Sequence, residues 1–191
     1  KDEEGTMKII NQLSEGVPLI VRDEKLTPNP NKDYSVGDLI TGYGVSEAIL
    51  HYHKIYGGEI KGKRVIVQGW GNVAGAASYY LAQAGAIIVG IIDKVGGVVN
   101  TDGYTFEEVK SLLEDRSSNF LEANNMISFE EANEKIWSIG AEIFVPAAAS
   151  RLLSQNQLDQ MVENGLEVIS AGANVPFADK EIFLNNCLSA V

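Results

Sequence analysis

Cysteine is almost absent. Cys187 is the single one in 191 residues, which excludes an internal disulfide and a cysteine-based metal cluster and fits a reducing cytoplasm. Positive charge is also scarce: 15 Lys and Arg stand against 26 Asp and Glu, a formal net charge of −11. The broad basic face that nucleic acid demands is therefore missing. The same deficit does not exclude an anionic cofactor, because backbone N–H groups at a helix start hold a pyrophosphate without net positive charge. No apolar run approaches the roughly 20 residues that a membrane helix needs. No signal peptide opens the chain, since KDEEGTMKII is acidic and lacks a hydrophobic stretch. The two histidines, His51 and His53, lie at i and i+2 of an expected helix. Those positions do not face each other, so no metal pair is expected there. Repeats and low-complexity tracts are absent as well.

What is present is the material of a soluble globule with a real core: 45% hydrophobic and 21% charged residues. The chain starts at Lys1 rather than Met and ends on the apolar Leu188-Ser189-Ala190-Val191, so a fragment of a longer polypeptide is expected. Met7, Ile9, Ile10 and Leu13 give a weakly amphipathic opening that ends at Gly16, followed by the extended run Val17 to Val21. Residues 22–37 carry Pro28, Pro30 and Gly37 and read as a loop or linker. The expected organisation is residues 1–37 as the end of, or linker from, a missing N-terminal substrate domain. Residues 38–191 then form the main domain, truncated at its C-terminus.

Asp38 is expected to cap a helix over 39–56, whose apolar positions Val45, Ala48, Ile49, Tyr52 and Ile55 recur at helical spacing. Val65-Ile66-Val67 and Ile87 to Ile92 read as buried parallel strands flanking a small-residue helix over Ala76 to Ala84. Val98-Val99 is expected to be a short strand before a turn at Asn100-Thr101-Asp102-Gly103. Thr105 to Glu108 and Ser128 to Glu131 both fit capping boxes. Ile143 to Val145, Glu167 to Ile169 and Leu188 to Val191 supply further strands, with a helix over 154–164 and another capped by Asp179. Strands alternating with helices predict an α/β fold: a Rossmann-type, doubly wound, mostly parallel sheet with helices on both faces.

The chemistry concentrates at Gly69-Trp70-Gly71-Asn72-Val73-Ala74, a G-x-G-x-x-[G/A] turn. Gly69 allows the tight exit from the strand, Gly71 leaves room for a pyrophosphate, and Ala74 lets the helix pack closely on the sheet. The unpaired N–H groups of the new helix point at the phosphates. A strand precedes the turn, a helix follows it, and an acid, Asp93, stands at the next strand end. Asp93 falls 24 residues after Gly69 (93 − 69), near the ~20 expected of a ribose-binding acid. Its charge would repel a 2′-phosphate, which favours NAD over NADP, while the adjacent Lys94 softens that preference. The bland alternatives are a tight turn of some other α/β protein and, for Asp93, a plain strand-end residue.

Several segments together resemble the Glu/Leu/Phe/Val dehydrogenase family, nearest to its glutamate dehydrogenase branch. Thr41-Gly42-Tyr43-Gly44-Val45 is similar to its T-G-x-G-V segment, and Val67 to Ala74 to its V-Q-G-F-G-N-V-G/A turn. Asp93-Lys94-Val95-Gly96-Gly97-Val98, Val145-Pro146-Ala147-Ala148 and Ala171-Gly172-Ala173-Asn174-Val175-Pro176 resemble later family motifs in family order. The resemblance implies oxidative deamination of an L-amino acid to a 2-oxo acid and ammonia, with hydride passed to a nicotinamide cofactor. It implies cofactor contacts at Thr41, Gly69, Trp70, Gly71, Asn72, Val73, Asp93, Lys94, Ala147, Ala148 and Asn174. It also implies an amino acid substrate and a homo-oligomer for the full-length protein; charge and the lack of long apolar runs already predict no nucleic acid and no membrane partner. Trp70 replaces the common Phe, and Ser170-Ala171 stands where an acid usually precedes G-A-N. No segment matches the family's catalytic lysines and aspartate, so no catalytic residue is assigned. The alternatives are an NAD-dependent dehydrogenase of another small metabolite and a non-catalytic dinucleotide-binding module.

Overall fold

The computed structural model describes residues 3–186. In chain order these are α1 (Glu3–Gly16), α2 (Val36–Tyr56), β1 (Arg64–Gln68), α3 (Asn72–Gln83), β2 (Ile87–Asp93), β3 (Gly96–Tyr104), α4 (Phe106–Glu114), α5 (Phe129–Lys135), β4 (Ile143–Pro146), α6 (Gln155–Glu163), β5 (Val168–Ile169) and α7 (Lys180–Asn186). A 3₁₀ turn over Ile136–Ser138 continues α5. The expected strand at Leu188 to Val191 lies outside the described residues. No helix among the described residues is long and apolar enough to cross a membrane.

The strands form one sheet in the order β3-β2-β1-β4-β5. β1 pairs in parallel with β2 and with β4, and β4 in parallel with β5. Side chains alternate across the sheet, so each central strand feeds two cores. Val65, Val67, Ile88, Ile143 and Val145 face one cluster with α2, α3 and α4. Ile66, Val89, Ile92 and Phe144 face the other, with Ala132, Ile136, Trp137, Leu153 and Met161. Trp137 and Phe144 meet edge to face at 5.8 Å on that second side. Burying each such large side chain contributes about 1.5–3 kcal/mol, so a sheet covered on both faces follows from continuous apolar runs. This is the α/β, mostly parallel architecture that the alternating pattern predicts.

Four local expectations change. The first helix of the main domain starts at Val36, not 39, because Ser35 is its N-cap and Asp38 is the reciprocal partner three residues on: Ser35 Oγ accepts from Asp38 N–H and Asp38 Oδ2 accepts from Ser35 N–H. Second, the extended run at Val17 to Val21 is tied to the segment that follows it rather than standing alone. It makes a single bridge, Ile20 to Ser35. Third, the expected short strand at Val98-Val99 extends to nine residues and runs antiparallel to β2. The expected turn survives inside it as a bulge: Gly90 pairs with Val99 and Ile88 with Tyr104, so residues 100–103 bow out. Asn100 holds the bow by donating to Gly103 O at 2.8 Å and accepting from Asp102 N–H at 3.1 Å. Fourth, only half of the second capping box forms. Ser128 Oγ accepts from Glu131 N–H, but the Glu131 carboxylate pairs with Lys135 at 2.6 Å instead. The boxes at Thr105 and the cap at Asp179 form as expected.

α2 and α3 lie unusually close. A Cβ at Gly42 would sit 2.5 Å from Val73 O and 2.6 Å from Ala77 N. Glycine at this position lets α2 brace the start of α3, the helix that carries the glycine turn.

Candidate functional site

β1 is the point where strand order reverses, with β2 and β3 built outward on one side and β4 and β5 on the other. In open α/β sheets, ligands bind beyond the carboxyl ends of the strands at such a point. The structure has a cleft of about 420 Å³ there. Its rim is tied together by the backbone: Gly69 N–H donates to Ile92 O at 2.7 Å and Ala147 N–H donates to Gln68 O at 2.8 Å.

Gly69 leaves β1 with a φ of +102°. A Cβ there would stand 2.9 Å from Ala147 O, so both conformation and space require glycine. Gly71 is different. Its φ is −72°, and a Cβ there would meet nothing within 4 Å. The fold does not need glycine at 71, and the open space beside it faces the start of α3. Gly71 is the N-cap of α3 and makes no side-chain cap. The first-turn N–H groups therefore remain available for an anion. These two observations fit a pyrophosphate.

Of the residues expected at the cofactor, Gly69, Trp70, Gly71, Asp93, Lys94, Ala147 and Ala148 line this one cleft. Trp70 abuts it with its indole committed to the core, fully buried and donating to Leu112 O at 3.1 Å. Asp93, at the end of β2, accepts from Leu121 N–H at 3.0 Å through one carboxylate oxygen. The Lys94 ammonium lies 4.0 Å over the Phe120 ring.

Four expected residues are not in the cleft lining. Thr41 is exposed on α2. Val73 packs towards Gly172. Asn174 lines a second cavity, of about 630 Å³, together with Arg151. Asn72 is drawn aside: Nδ2 donates to Asp38 Oδ1 at 2.8 Å, and Oδ1 accepts from Arg116 Nη2 at 2.8 Å. Arg116 also donates to Trp70 O at 3.0 Å. Burial lowers the Arg116 pKa, opposed by Tyr34 and Asp38, which favour its charge.

The sequence reading missed Asn119, Phe120, Phe129, Asn133, Leu152 and Gln157, all of which line the cleft. The only local signal at Phe120 is an aromatic in a polar segment. Asn133 and Gln157 carry no local signal, since they become neighbours only when α5 meets α6, with Gln157 Nε2 donating to Asn133 Oδ1 at 3.0 Å. No group of three His, Cys, Asp or Glu among the described residues could hold a metal ion.

Comparison with known proteins fits this geometry. The profile of the Glutamate/Leucine/Phenylalanine/Valine dehydrogenase family matches residues 36–185. The NADP-specific glutamate dehydrogenase of Escherichia coli K12 is 31% identical over 145 residues, covering 71% of this chain and 31% of that protein. Glutamate dehydrogenase of Aeropyrum pernix is 32% identical over 136 residues, covering 71% and 31%. The solved structure of Plasmodium falciparum glutamate dehydrogenase superposes with a TM-score of 0.65 at 22% identity, over 79% of this chain and 34% of that one. The hetero-hexameric, leucine-bound glutamate dehydrogenase of Thermus thermophilus gives 0.59 at 24% identity, over 78% and 34%. The chain thus spans about a third of the length of these relatives.

Proposed function

Because the chain belongs to the glutamate/leucine/phenylalanine/valine dehydrogenase family, we propose that it is the dinucleotide-binding part of an L-amino acid dehydrogenase. The reaction of the whole protein is oxidative deamination of glutamate or a related L-amino acid to a 2-oxo acid and ammonia. The observation that carries this reading is the cradle at Gly71, with open space where a Cβ would be, uncapped amides at the start of α3, and Asp93 at the neighbouring strand end.

A bound nicotinamide dinucleotide would supply the hydride acceptor. The residues of this chain bind and orient it. The first-turn amides of α3 take the pyrophosphate, Asp93 accepts from the adenosine ribose hydroxyls through its free oxygen, and Ala147 and Ala148 form a wall on the β4 side. Asn72 braces the turn from outside the lining through Asp38 and Arg116, and Thr41, Val73 and Asn174 are proposed as outer contacts of the same cofactor. Asp93 favours NAD. The relatives named NADP-specific make NADP the competing choice. Hydride transfer requires the substrate to be oriented and water excluded. We assign that work to a substrate domain preceding residue 38, so that the isolated chain binds cofactor without turnover. The full-length protein is proposed to be a cytoplasmic homo-oligomer.

Calorimetric titration with NADH and NADPH tests the reading. Saturable binding of NADH, tighter than NADPH, is expected. Absence of binding by both at millimolar ligand overturns it.

A further inference from the structure

Asn133, on α5, is held by its oxygen alone. Trp137 Nε1 donates to Asn133 Oδ1 at 3.1 Å, and Gln157 Nε2 donates to the same atom at 3.0 Å. An indole nitrogen can only donate, so the atom that meets Trp137 must be the amide oxygen, and the two ends of the Asn133 amide are not interchangeable. Gln157 is fixed in the same sense: its Oε1 accepts from Ser154 N–H at 2.9 Å and from Ser154 Oγ at 3.0 Å in the cap of α6. Asn133 Nδ2 has no acceptor among the described residues. A carboxylate could accept from Trp137 and Gln157 equally well. What the amide adds is two donor hydrogens whose direction is already set.

Asn133 is half-buried and lines the cleft beyond the strand ends. Its helix packs on β2 and β3. Ala132, the residue before it, lies against the start of β3, where a Cβ on Gly97 would come within 2.6 Å of the Ala132 Cβ. β2 ends at Asp93 and β3 begins at Gly96, so Asn133 stands on the Asp93 side of the cleft. Phe129 lies one helical turn before it, on the same face of α5, and also lines the cleft, 43% exposed. Leu152, 44% exposed, borders the same space from the turn after β4. Exposed apolar side chains beside an oriented donor suit a flat heteroaromatic ring, whose faces are apolar and whose edge accepts hydrogen bonds.

We propose that Asn133 recognises the adenine base of the dinucleotide, with Nδ2 donating to a ring nitrogen and Phe129 packing against a face of the ring. The identity of the base rests on the dinucleotide reading, in which Asp93 holds the adenosine ribose. Adenine carries acceptor nitrogens at ring positions 1, 3 and 7, and its exocyclic amino group is a donor. A group that can only donate therefore meets the ring nitrogens and not the amino group. The nicotinamide half of the cofactor gains nothing from this contact, so Asn133 fixes the adenosine end and leaves the reacting end to other residues.

The experiment crosses ligand variants with a protein variant. ADP, which carries the adenosine half without nicotinamide, and its 1-deaza, 3-deaza and 7-deaza forms are titrated calorimetrically into the chain and into Asn133→Asp. The aspartate still accepts from Trp137 and Gln157, so the fold is retained, which a thermal melt checks. One deaza form should bind the unaltered chain about fivefold more weakly than ADP, the worth of one hydrogen bond. In Asn133→Asp that same form should lose about fivefold less affinity than the other three ligands, because the contact is already gone. Repulsion between the new carboxylate and the phosphates weakens all four alike, so only the difference is read. Equal losses for all four ligands overturn the proposal. So does a set of deaza forms that all bind the unaltered chain as tightly as ADP, a result that needs no variant, and so does absence of ADP binding at millimolar ligand. If ADP couples to Asn133 while NADH does not bind, base recognition stands and the dehydrogenase reading fails. If NADH binds and no coupling to Asn133 is found, the dehydrogenase reading stands and this proposal fails.

Discussion

Arg116 Nη2 donates to Asn72 Oδ1 at 2.8 Å, and this contact turns the one polar side chain of the glycine turn away from the cleft. The opposite end of the Asn72 amide donates to Asp38 on α2. The turn is therefore clamped between the loop after α4 and the start of α2. Hydrogen bonds to a charged group are worth about 1.5–3 kcal/mol. Arg116→Ala is expected to weaken dinucleotide binding roughly tenfold and to lower the Tm by a few degrees, because Asn72 Oδ1 and Trp70 O lose their donor. Fluorescence titration with NADH reads the first effect, and an unchanged affinity would show that the turn holds its shape without the clamp.

The two glycines of the turn should separate stability from binding. Gly71→Val places a side chain in space that the fold leaves open, so the Tm should move little while NADH binding is abolished. Gly69→Ala must carry a φ of +102° and approach Ala147 O at 2.9 Å. It should cost on the order of 1–3 kcal/mol of stability. Parallel thermal melts and titrations check both, and a normal affinity for Gly71→Val would remove the pyrophosphate from this turn.

Asp93 lines the cleft and uses one oxygen on Leu121 N–H, which leaves the other for the proposed ribose contact. Asp93→Asn can preserve the Leu121 contact while removing the charge. Repulsion between a carboxylate and a nearby phosphate at a protein surface is on the order of 1–2 kcal/mol. The ratio of NADPH to NADH affinity should therefore rise about tenfold. A ratio that stays constant in competitive titration would take Asp93 out of the discrimination.

Burial raises the pKa of Tyr34, Tyr79, Tyr80 and Tyr104 above the ordinary value near 10. Tyr79 donates to Thr27 O at 3.3 Å, and Tyr80 donates to Leu26 O. A raised folded-state pKa means that the folded protein keeps these protons when the unfolded chain would release them. The stability linked to them is complete below pH 10 and is lost as pH rises through 10 towards the folded values. Absorbance of tyrosinate should show a fraction of the seven tyrosines ionising only together with loss of far-ultraviolet circular dichroism. Smooth ionisation of all of them in a folded protein would contradict this.

Much of the fold was legible because its signals are local. Val65-Ile66-Val67 and Ile87 to Ile92 are too apolar to have a solvent face, and Gly69 and Gly71 mark the turn between them. Thr105 and Glu108 announce a helix by a pairing three residues apart. The misread elements depended on partners far along the chain. Nothing local tells Val98-Val99 to continue past Asn100, because the pairing of Tyr104 with Ile88 is a tertiary fact. Asp38 and Ser35 both have the chemistry of a cap, and the difference lies in which oxygen meets which N–H. Within the candidate site, Gly69 and Asp93 could be named from motif and spacing, and Ala147 only from the family resemblance. Asn133 and Gln157 could not, since neither faces the cleft until α5 and α6 are packed. The withdrawal of Asn72 was equally hidden, because its cause, Arg116, lies 44 residues away.

The bowed segment of β3 also governs what the sheet can do to its neighbours in solution. A bare outer strand is a template on which another chain can pair, and bulges blunt it. Here the Asn100 side chain takes up Gly103 O and Asp102 N–H, and Thr101 O accepts from Arg64 Nη1. Gly97 gives both its N–H and its C=O on the outer side to Ile127. A second molecule approaching this rim meets a ladder interrupted by the bow and by the Ile127 bridge, so the pairing of another chain along β3 is disfavoured.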